Sequence, residues 1–189
     1  LAAPTGRASK VLSEYTKCPA QTIHKLLYSM DMMESMGDEN PKIYVDMVIV
    51  DEVSMCDLSL FYNLINRIDF TRRKLLLVGD EAQLPSVSAG NVLYDMVHSD
   101  KIPVNRLTKI FRYGNNSILT VATDIRNSQS YFKKDLGDKK YVFIETPQET
   151  MVNKVKALYK KLIDAGFPKE DILILSAYNK GNYGTTAIN

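Results

Sequence analysis

Four short apolar runs, each about the length of a β-strand, mark the chain. They lie in "DMVIVDE", "KLLLVGD", "YVFIET" and "DILILS". Continuous apolar runs of this length are typical of strands that are covered on both faces in a parallel sheet. We therefore predict four strands, the first two of which end directly before carboxylates, at Asp51 and Asp80.

Helical patterns lie between the members of each pair of runs. In "LSLFYNLINRI", Leu60, Leu64 and Ile68 recur at helical spacing. In "QETMVNKVKALYKKLIDAG", Gly166 and Pro168 predict the end of a longer helix, one face of which carries Met151, Val155, Leu158 and Leu162. Strand, helix and strand in succession predict right-handed crossovers and an α/β fold, a parallel sheet flanked by helices.

A seam is predicted between about Arg112 and Tyr141, where "FRYGNNS" and "NSQSYFKKDLGDKK" are rich in polar and turn-forming residues. We interpret residues 1–112 as most of a first domain, 113–140 as a linker with a connecting helix, and 141–189 as the beginning of a second domain. The chain starts at Leu1, and "LAAPTG" reads as the last residues of a strand entering a loop. We therefore expect a fragment that is incomplete at both ends.

Composition narrows the functional classes only a little. The net charge of +2 and the pI of about 8.4 are too mild to indicate a nucleic-acid partner. Cys18 and Cys56 lie far apart, which argues against a zinc cluster or a disulfide framework and favours a reducing, cytoplasmic setting. No apolar run approaches the roughly 18 residues of a membrane span, so we expect no membrane association.

The candidate chemistry lies where the first two strands end. Asp51 and Glu52 follow the first strand, and Gly79 and Asp80 follow the second. Ligands of open parallel sheets bind outside the carboxyl ends of the strands, and Mg²⁺ prefers a few carboxylate oxygens beside phosphate. These residues favour phosphoryl transfer to water. We expect Asp51 to hold the metal through its water shell and Glu52 to polarise the attacking water, because neighbouring strand residues point to opposite faces.

Other interpretations of these residues stay open. The Asp51–Glu52 pair could simply cap the next helix, as Thr5 could cap the first. Gln83 could bond a phosphate oxygen or the attacking water, or it could be an exposed turn residue. A metal-dependent nuclease is a second hypothesis, which would use a cluster of five carboxylates: Asp46, Asp51, Glu52, Asp57 and Asp80.

Four blocks in order, "LAAPTGRAS", "VIVDEVSM", "LLLVGDEAQLPSVSAGNVL" and "LTKIFRY", closely resemble superfamily 1 DNA helicases of the RecD type, the alpha subunit of exonuclease V and its stand-alone relatives. The resemblance implies two RecA-like domains that bind ATP and Mg²⁺ between them, with motifs Ia, II, III and IV in residues 1–112. It implies movement along single-stranded DNA in the 5′ to 3′ direction, a role in recombination and repair, and other exonuclease V subunits as candidate partners.

The resemblance also assigns roles to single residues. Asp51 and Glu52 match the Walker B pair, so Asp51 would hold Mg²⁺ and Glu52 would activate water. Gln83 matches the glutamine that senses the γ-phosphate, and Arg112 in "IFRY" matches an arginine that reaches the same phosphate. A guanidinium suits that task because it is always charged and its fork fits phosphate oxygens. The alternatives for Arg112 are a solvated loop residue or a salt bridge that holds the linker.

The DNA contacts that the resemblance implies lie near the amino terminus. Thr5, Gly6 and Arg7 in "PTGRAS" match motif Ia, which touches the DNA backbone without reading sequence. Ser86 is a further candidate, and His24 is a weak one, since a lone His on an apolar helix is more often packed or surface-exposed. The role of the segment from Gly181 to Asn189 stays open.

The chain contains no P-loop of the form GxxxxGK followed by Ser or Thr, whose backbone amides and Lys cradle phosphates. We expect the chain alone to bind ATP weakly and to hydrolyse essentially none, whereas the intact parent does both. A non-catalytic scaffold subunit of a DNA repair complex is the third hypothesis, which a degenerate P-loop upstream would favour.

Overall fold

The computed structural model of the chain describes residues 1–109, 117–129, 137–138 and 140–188. These residues divide into two compact units, Leu1–Lys109 and Ile110–Asn189. Arg112 and part of the predicted linker lie outside the described residues. The interpretation of the two units as the first and second domains of a motor stays a prediction.

The first unit is built on a parallel sheet of four strands in the order β2-β1-β3-β4. This confirms the α/β class and the strands predicted in "DMVIVDE" and "KLLLVGD", which pair in register from Met47 with Lys74 to Val50 with Leu77. The strands are β1 (Ala2–Ala3), β2 (Gln21–Thr22), β3 (Met47–Val50) and β4 (Lys74–Leu77).

Four helices accompany this sheet, and three of them begin at a side chain that caps the first turn. Thr5 Oγ1, Thr22 Oγ1 and Asp57 Oδ1 accept hydrogen bonds from backbone N–H groups three residues ahead, at 3.2, 3.1 and 2.8 Å. A short 3₁₀ turn, Val53–Met55, follows β3. The helices are α1 (Gly6–Thr16), α2 (Ile23–Ser35), α3 (Leu58–Asn66) and α4 (Val92–His98).

The main core lies between the sheet and the helices of the first unit. Leu64 on α3 and Ile23 on α2 are fully buried, and Val50 on β3 is 1% exposed. Full burial of one such side chain contributes about 1.5–3 kcal/mol. The core therefore fixes the strands whose carboxyl ends carry the candidate site.

The second unit contains α5 (Ser117–Arg126), α6 (Gln148–Asp164), a 3₁₀ turn (Lys169–Asp171) and α7 (Thr185–Ile188). The predicted long helix is confirmed, and Gly166 follows it with a φ of +92°. No side chain of α6 is buried, and Val121 is the one buried hydrophobic residue among those described in this unit. None of the helices that the structure describes is long and apolar enough to span a membrane.

The prediction of strands in "YVFIET" and "DILILS" is wrong. Neither run forms a strand, and no described residue pairs with either of them in a sheet. Val142, Leu173 and Leu175 are exposed. The physical reason is that an apolar run becomes a strand only when a neighbouring backbone completes its hydrogen-bond ladder.

Candidate functional site

The carboxyl ends of three strands meet at one edge of the sheet. Asp51 N–H donates to the carbonyl of Ala2 at 3.0 Å, so the end of β3 lies beside the end of β1. Val78 N–H donates to Val50 O at 2.8 Å, and Val53 N–H donates to Val78 O at 3.1 Å, so the end of β4 lies on the other side. The structure thus brings the chain after β1, the Asp51–Glu52 pair and the chain after β4 together.

Gly79 sits at the point where two of these strand ends touch. A Cβ on Gly79 would lie 2.9 Å from Leu93 Cδ2 and 3.2 and 3.3 Å from the backbone nitrogens of Val53 and Ser54. A side chain here would require Leu93 to move and the backbone of the 3₁₀ turn to give by a few tenths of an ångström. The glycine therefore lets the chain before Asp80 pack directly against the 3₁₀ turn that follows Glu52.

Asp51 has the position and the chemistry for a metal that keeps its water shell. It is half-buried, and its Oδ1 accepts the N–H of Glu52 at 2.9 Å. A carboxylate has about four acceptor positions, so this bond leaves capacity for water or metal. Mg²⁺ is commonly held by one or two carboxylates together with waters and substrate phosphates, which fits a single carboxylate here.

Glu52 adopts a conformation that the sequence did not predict. β3 ends at Val50, and Glu52 has φ +56° and ψ +40°, in the left-handed region. The expectation that the pair points to opposite faces of a strand is wrong, because both residues lie beyond the strand and a tight turn orients Glu52. Such a conformation costs a residue with a Cβ about 1–2 kcal/mol and is common at functional sites.

Helix capping does not account for the pair. Glu52 precedes the 3₁₀ turn, but its side chain makes no capping hydrogen bond there. The side chain that caps α3 is Asp57, which lies five residues further along the chain. Glu52 is therefore held in a costly backbone conformation without a capping role.

Ser54 is a residue that the sequence analysis missed. Its side chain is 5% exposed, and its Oγ makes no hydrogen bond among the described residues. An unpaired buried hydroxyl costs about 1–3 kcal/mol, and buried polar groups normally have a protein or water partner. The sequence did contain a signal for this residue, namely a polar side chain between two apolar ones directly after two carboxylates.

The five carboxylates of the nuclease hypothesis do not come together in one cluster. Asp46 lies at the opposite, amino end of β3, is fully exposed, and sits 3.6 Å from Arg73. Asp57 caps α3. In the described ranges, no group of three or more His, Cys, Asp or Glu side chains could hold a metal ion.

Gln83 lies in a turn that Asp80 builds. Ala82 N–H donates to Asp80 Oδ1, and Gln83 N–H donates to Asp80 O, both at 3.0 Å. The Gln83 side chain is exposed, which is compatible with contact to a ligand as well as with the exposed-turn interpretation. Ser86 follows in the same loop, where its Oγ accepts the N–H of Ser88 at 3.1 Å.

The residues predicted to contact DNA backbone lie at the start of α1. Thr5 caps that helix, as the alternative interpretation of this residue predicted. Gly6 and Arg7 are exposed, and a Cβ added to Gly6 would meet nothing within 4 Å, so this first turn of the helix lies at the surface. His24 is exposed on α2, away from the core positions of that helix. Arg112 is outside the described residues.

An ion pair near Gln83 was also missed. Glu81 Oε1 lies 2.6 Å from Arg106 Nη1, and Glu81 Oε2 lies 3.7 Å from His98 Nδ1. Glu81 and Arg106 are 25 residues apart, and no motif or periodicity links them. Only the folded chain shows that they are partners.

Comparison with known proteins identifies relatives of this chain. Residues 1–140 match a family described as "AAA domain". The chain is 30% identical over 190 residues to the "ATP-dependent RecD2 DNA helicase" of Deinococcus radiodurans, covering 100% of this chain and 25% of that protein. It is 34% identical over 146 residues to the "RecBCD enzyme subunit RecD" of Mycobacterium tuberculosis, covering 67% of this chain and 25% of that protein.

A solved structure is also similar. It is the Pif1 helicase from Bacteroides, crystallised in complex with ADP-AlF3 and ssDNA, with 19% identity and a TM-score of 0.46 over 93% of this chain and 53% of that chain. The chain spans about a quarter of the length of the two curated relatives.

Proposed function

Because this chain belongs to the AAA domain family and is 30–34% identical to RecD-type helicases, we propose that it is part of the motor of an ATP-dependent DNA helicase. The observation that carries the proposal is the convergence at one sheet edge of the Asp51–Glu52 turn, the Gln83 turn and the exposed start of α1. This is the edge where parallel α/β sheets bind nucleotides.

Each residue of this edge has a proposed task. Bound ATP with Mg²⁺ would supply the phosphoanhydride bond and the neutralisation of phosphate charge. Asp51 would hold the water shell of the metal through the carboxylate capacity that its bond to Glu52 N–H leaves. Glu52 would orient the attacking water and accept its proton. Gln83 would donate its amide to the terminal phosphate, without adding charge.

The DNA contact is proposed at the start of α1. Thr5, Gly6 and Arg7 would bind the phosphate backbone of single-stranded DNA through a hydroxyl, helix amides and a cation, and Ser86 would lie near the strand. None of these contacts distinguishes one base from another, which suits a motor that moves along any sequence. We propose movement in the 5′ to 3′ direction, in cytoplasmic recombination and repair, with exonuclease V subunits as candidate partners.

Hydrolysis is proposed for the complete helicase and not for these 189 residues alone. The chain has no GxxxxGK followed by Ser or Thr, the loop that holds the β- and γ-phosphates in such motors. Arg112 is proposed as a further contact to the γ-phosphate on the basis of its motif. The 189-residue chain is therefore expected to bind ATP weakly.

The decisive experiment is Glu52→Gln in the complete helicase. Removal of a general base lowers turnover by about 100-fold or more, while nucleotide binding stays largely intact. The measurement is DNA-stimulated ATP hydrolysis, together with binding of a fluorescent ATP analogue.

Asp46→Asn is the matched control. It makes the same carboxylate-to-amide change at the opposite end of β3, where Asp46 is fully exposed. We expect its turnover to equal that of the natural protein. An unchanged rate in Glu52→Gln would rule out the proposed base.

A further inference from the structure

Three side chains from separate parts of the first unit meet beside the Gln83 turn. Glu81 lies within that turn, His98 ends α4, and Arg106 lies in the segment 101–109, which has no helix or strand. We call these residues the Glu81 cluster. Its shortest contact is the 2.6 Å ion pair between Glu81 Oε1 and Arg106 Nη1.

Arg106 is the group that satisfies the Glu81 carboxylate. The Glu81 side chain is 24% exposed, and its Oε2 is buried without a hydrogen bond in the part of the chain that the structure describes. His98 Nδ1 is 3.7 Å from that oxygen, too far for a hydrogen bond, and lies instead 2.8 Å from the carbonyl of Tyr94. The His98 ring is also stacked on the Tyr94 ring, with centroids 4.0 Å apart.

The His98 ring is thus occupied by its own helix, so the position of Glu81 depends on Arg106. The bond is short and charge-assisted, but the Arg106 side chain is 56% exposed, so the pair acts as a geometric link and adds little stability.

The ion pair joins two stretches of chain that have different proposed roles. Glu81 lies between Asp80 and Gln83, within the two hydrogen bonds that form the turn. Arg106 lies three residues before Lys109, where the first unit ends. A loop without helix or sheet bonds opens easily unless side-chain contacts hold it, and this pair is one such contact between the segment 101–109 and the Gln83 turn.

We propose that the Glu81–Arg106 ion pair is a positioning contact that couples the Gln83 turn to the segment leading into the second unit. The inference rests on the proposed function, in which Gln83 contacts the terminal phosphate. A movement of Gln83 when that phosphate leaves shifts Glu81 in the same turn, and Arg106 carries the shift into the segment 101–109. Neither Glu81 nor Arg106 touches ATP or DNA in this scheme.

The test measures two quantities in the complete helicase, the rate of ATP hydrolysis and the number of base pairs unwound per ATP. Glu81→Gln removes the carboxylate charge at the same side-chain length, and Arg106→Gln replaces the guanidinium with a shorter, neutral side chain. We expect DNA-stimulated ATP hydrolysis to stay within about twofold, while the number of base pairs unwound per ATP falls at least about fivefold, the lower end of typical coupling between sites. The exchanged double variant, Glu81→Arg with Arg106→Glu, is expected to recover most of the lost unwinding per ATP.

Arg73→Gln is the matched control. Arg73 Nη1 lies 3.6 Å from Asp46 Oδ1 at the amino end of the strands, so this variant makes the same substitution in a longer arginine–carboxylate ion pair at the opposite edge of the sheet. We expect no change in unwinding per ATP. Thermal unfolding of every variant shows whether the fold is kept.

The outcomes distinguish the inference from the proposed function. If the natural helicase shows no DNA-stimulated hydrolysis, the proposed function is wrong. If the natural helicase is active and Arg106→Gln matches Arg73→Gln, the coupling role is wrong. The role is also wrong if hydrolysis and unwinding fall in equal proportion and the exchanged variant recovers neither, because the pair is then only structural.

Discussion

The two units contain the same sequence pattern but form different secondary structure from it. Each contains two apolar runs separated by an amphipathic helix. In the first unit the runs pair as β3 and β4, and α3 buries Leu64 completely. In the second unit the runs form no strand in the described residues, and α6 buries no side chain. The pattern therefore specifies a potential strand, and a neighbouring backbone decides whether it forms.

Because of this difference, we expect the first unit to be more stable than α6. A helix of 17 residues such as α6 is only marginally stable in water without tertiary packing, and its apolar face here is at most half-buried. The helices of the first unit pack on a paired sheet. We expect the first unit to unfold cooperatively and α6 to lose its helix earlier.

The largest effect is expected from core truncation. Leu64→Ala removes a fully buried side chain and should lower the free energy of unfolding of the first unit by about 2–5 kcal/mol. Leu158→Ala shortens a side chain on α6 that is 40% exposed and should cost about 1 kcal/mol or less, since Ala also favours helix. Urea unfolding followed by circular dichroism measures both.

Equal costs for the two substitutions would contradict the comparison. They would mean that α6 is packed in solution as tightly as α3. Hydrogen exchange of the α6 amides is the direct check, since exchange within minutes is expected there and much slower exchange is expected in α3.

A second test uses alkaline pH. Burial, with a smaller contribution from the charge of Asp57, raises the pKa of the Cys56 thiol to about 11. Unfolding returns the thiol to an ordinary pKa near 9, so above that pH the unfolded state loses a proton that the folded state keeps. Stability from this group is complete below pH 9 and falls as pH rises towards 11, by up to about 3 kcal/mol.

The control for the alkaline test is Cys56→Ala. The difference in unfolding free energy between the natural chain and the variant should be constant up to pH 9 and shrink above it. Helicity of α6 should not follow this change, because Cys56 lies in the first unit and the second unit contains no cysteine. A constant difference up to pH 11 would contradict the burial of the thiol.

Two glycines with similar backbone angles give a third contrast. Gly90 has φ +106°, and a Cβ there would lie 2.7 Å from Leu58 Cβ and 3.1 Å from Leu58 N. Gly166 has φ +92° with nothing within 4 Å. Gly90→Ala should therefore cost about 2 kcal/mol or more, from strain and a clash at the start of α3.

Gly166→Ala carries the backbone strain without the clash and should cost about 1 kcal/mol. Thermal unfolding of the two variants separates these contributions. Similar costs would show that the packing of the loop at Gly90 on α3 is loose in solution, which would weaken the contrast between the units.

Sequence patterns predicted the fold best where local and long-range preferences agree. The runs around Val50 and Leu77 became neighbouring strands, and the end of α6 follows from Gly166. The same patterns failed for "YVFIET" and "DILILS", because a run of apolar residues carries no information on whether a partner backbone lies beside it.

For the candidate site, the sequence predicted the strand ends that carry it but not the geometry of the residues there. The candidate chemistry was placed at the strand ends before Asp51 and Asp80, and these ends lie at one edge of the sheet. The left-handed turn at Glu52, the buried hydroxyl of Ser54 and the contact between Glu81 and Arg106 depend on tertiary packing. No periodicity or motif reports such contacts.

The smallest expected change in stability comes from two residues with left-handed backbone conformations, one at the candidate site and one away from it. Glu52 has φ +56° at the candidate site, and Lys17 has φ +57° at the end of α1, where glycine is the common choice. Glu52→Gly and Lys17→Gly should each stabilise the first unit by about 1 kcal/mol, because glycine adopts this conformation without a steric penalty. If the proposed function is right, only Glu52→Gly should abolish ATP hydrolysis by the complete protein. A loss of stability in Glu52→Gly would show that contacts of the Glu52 side chain outweigh its strain, so its conformation would then be explained by the fold and not by catalysis.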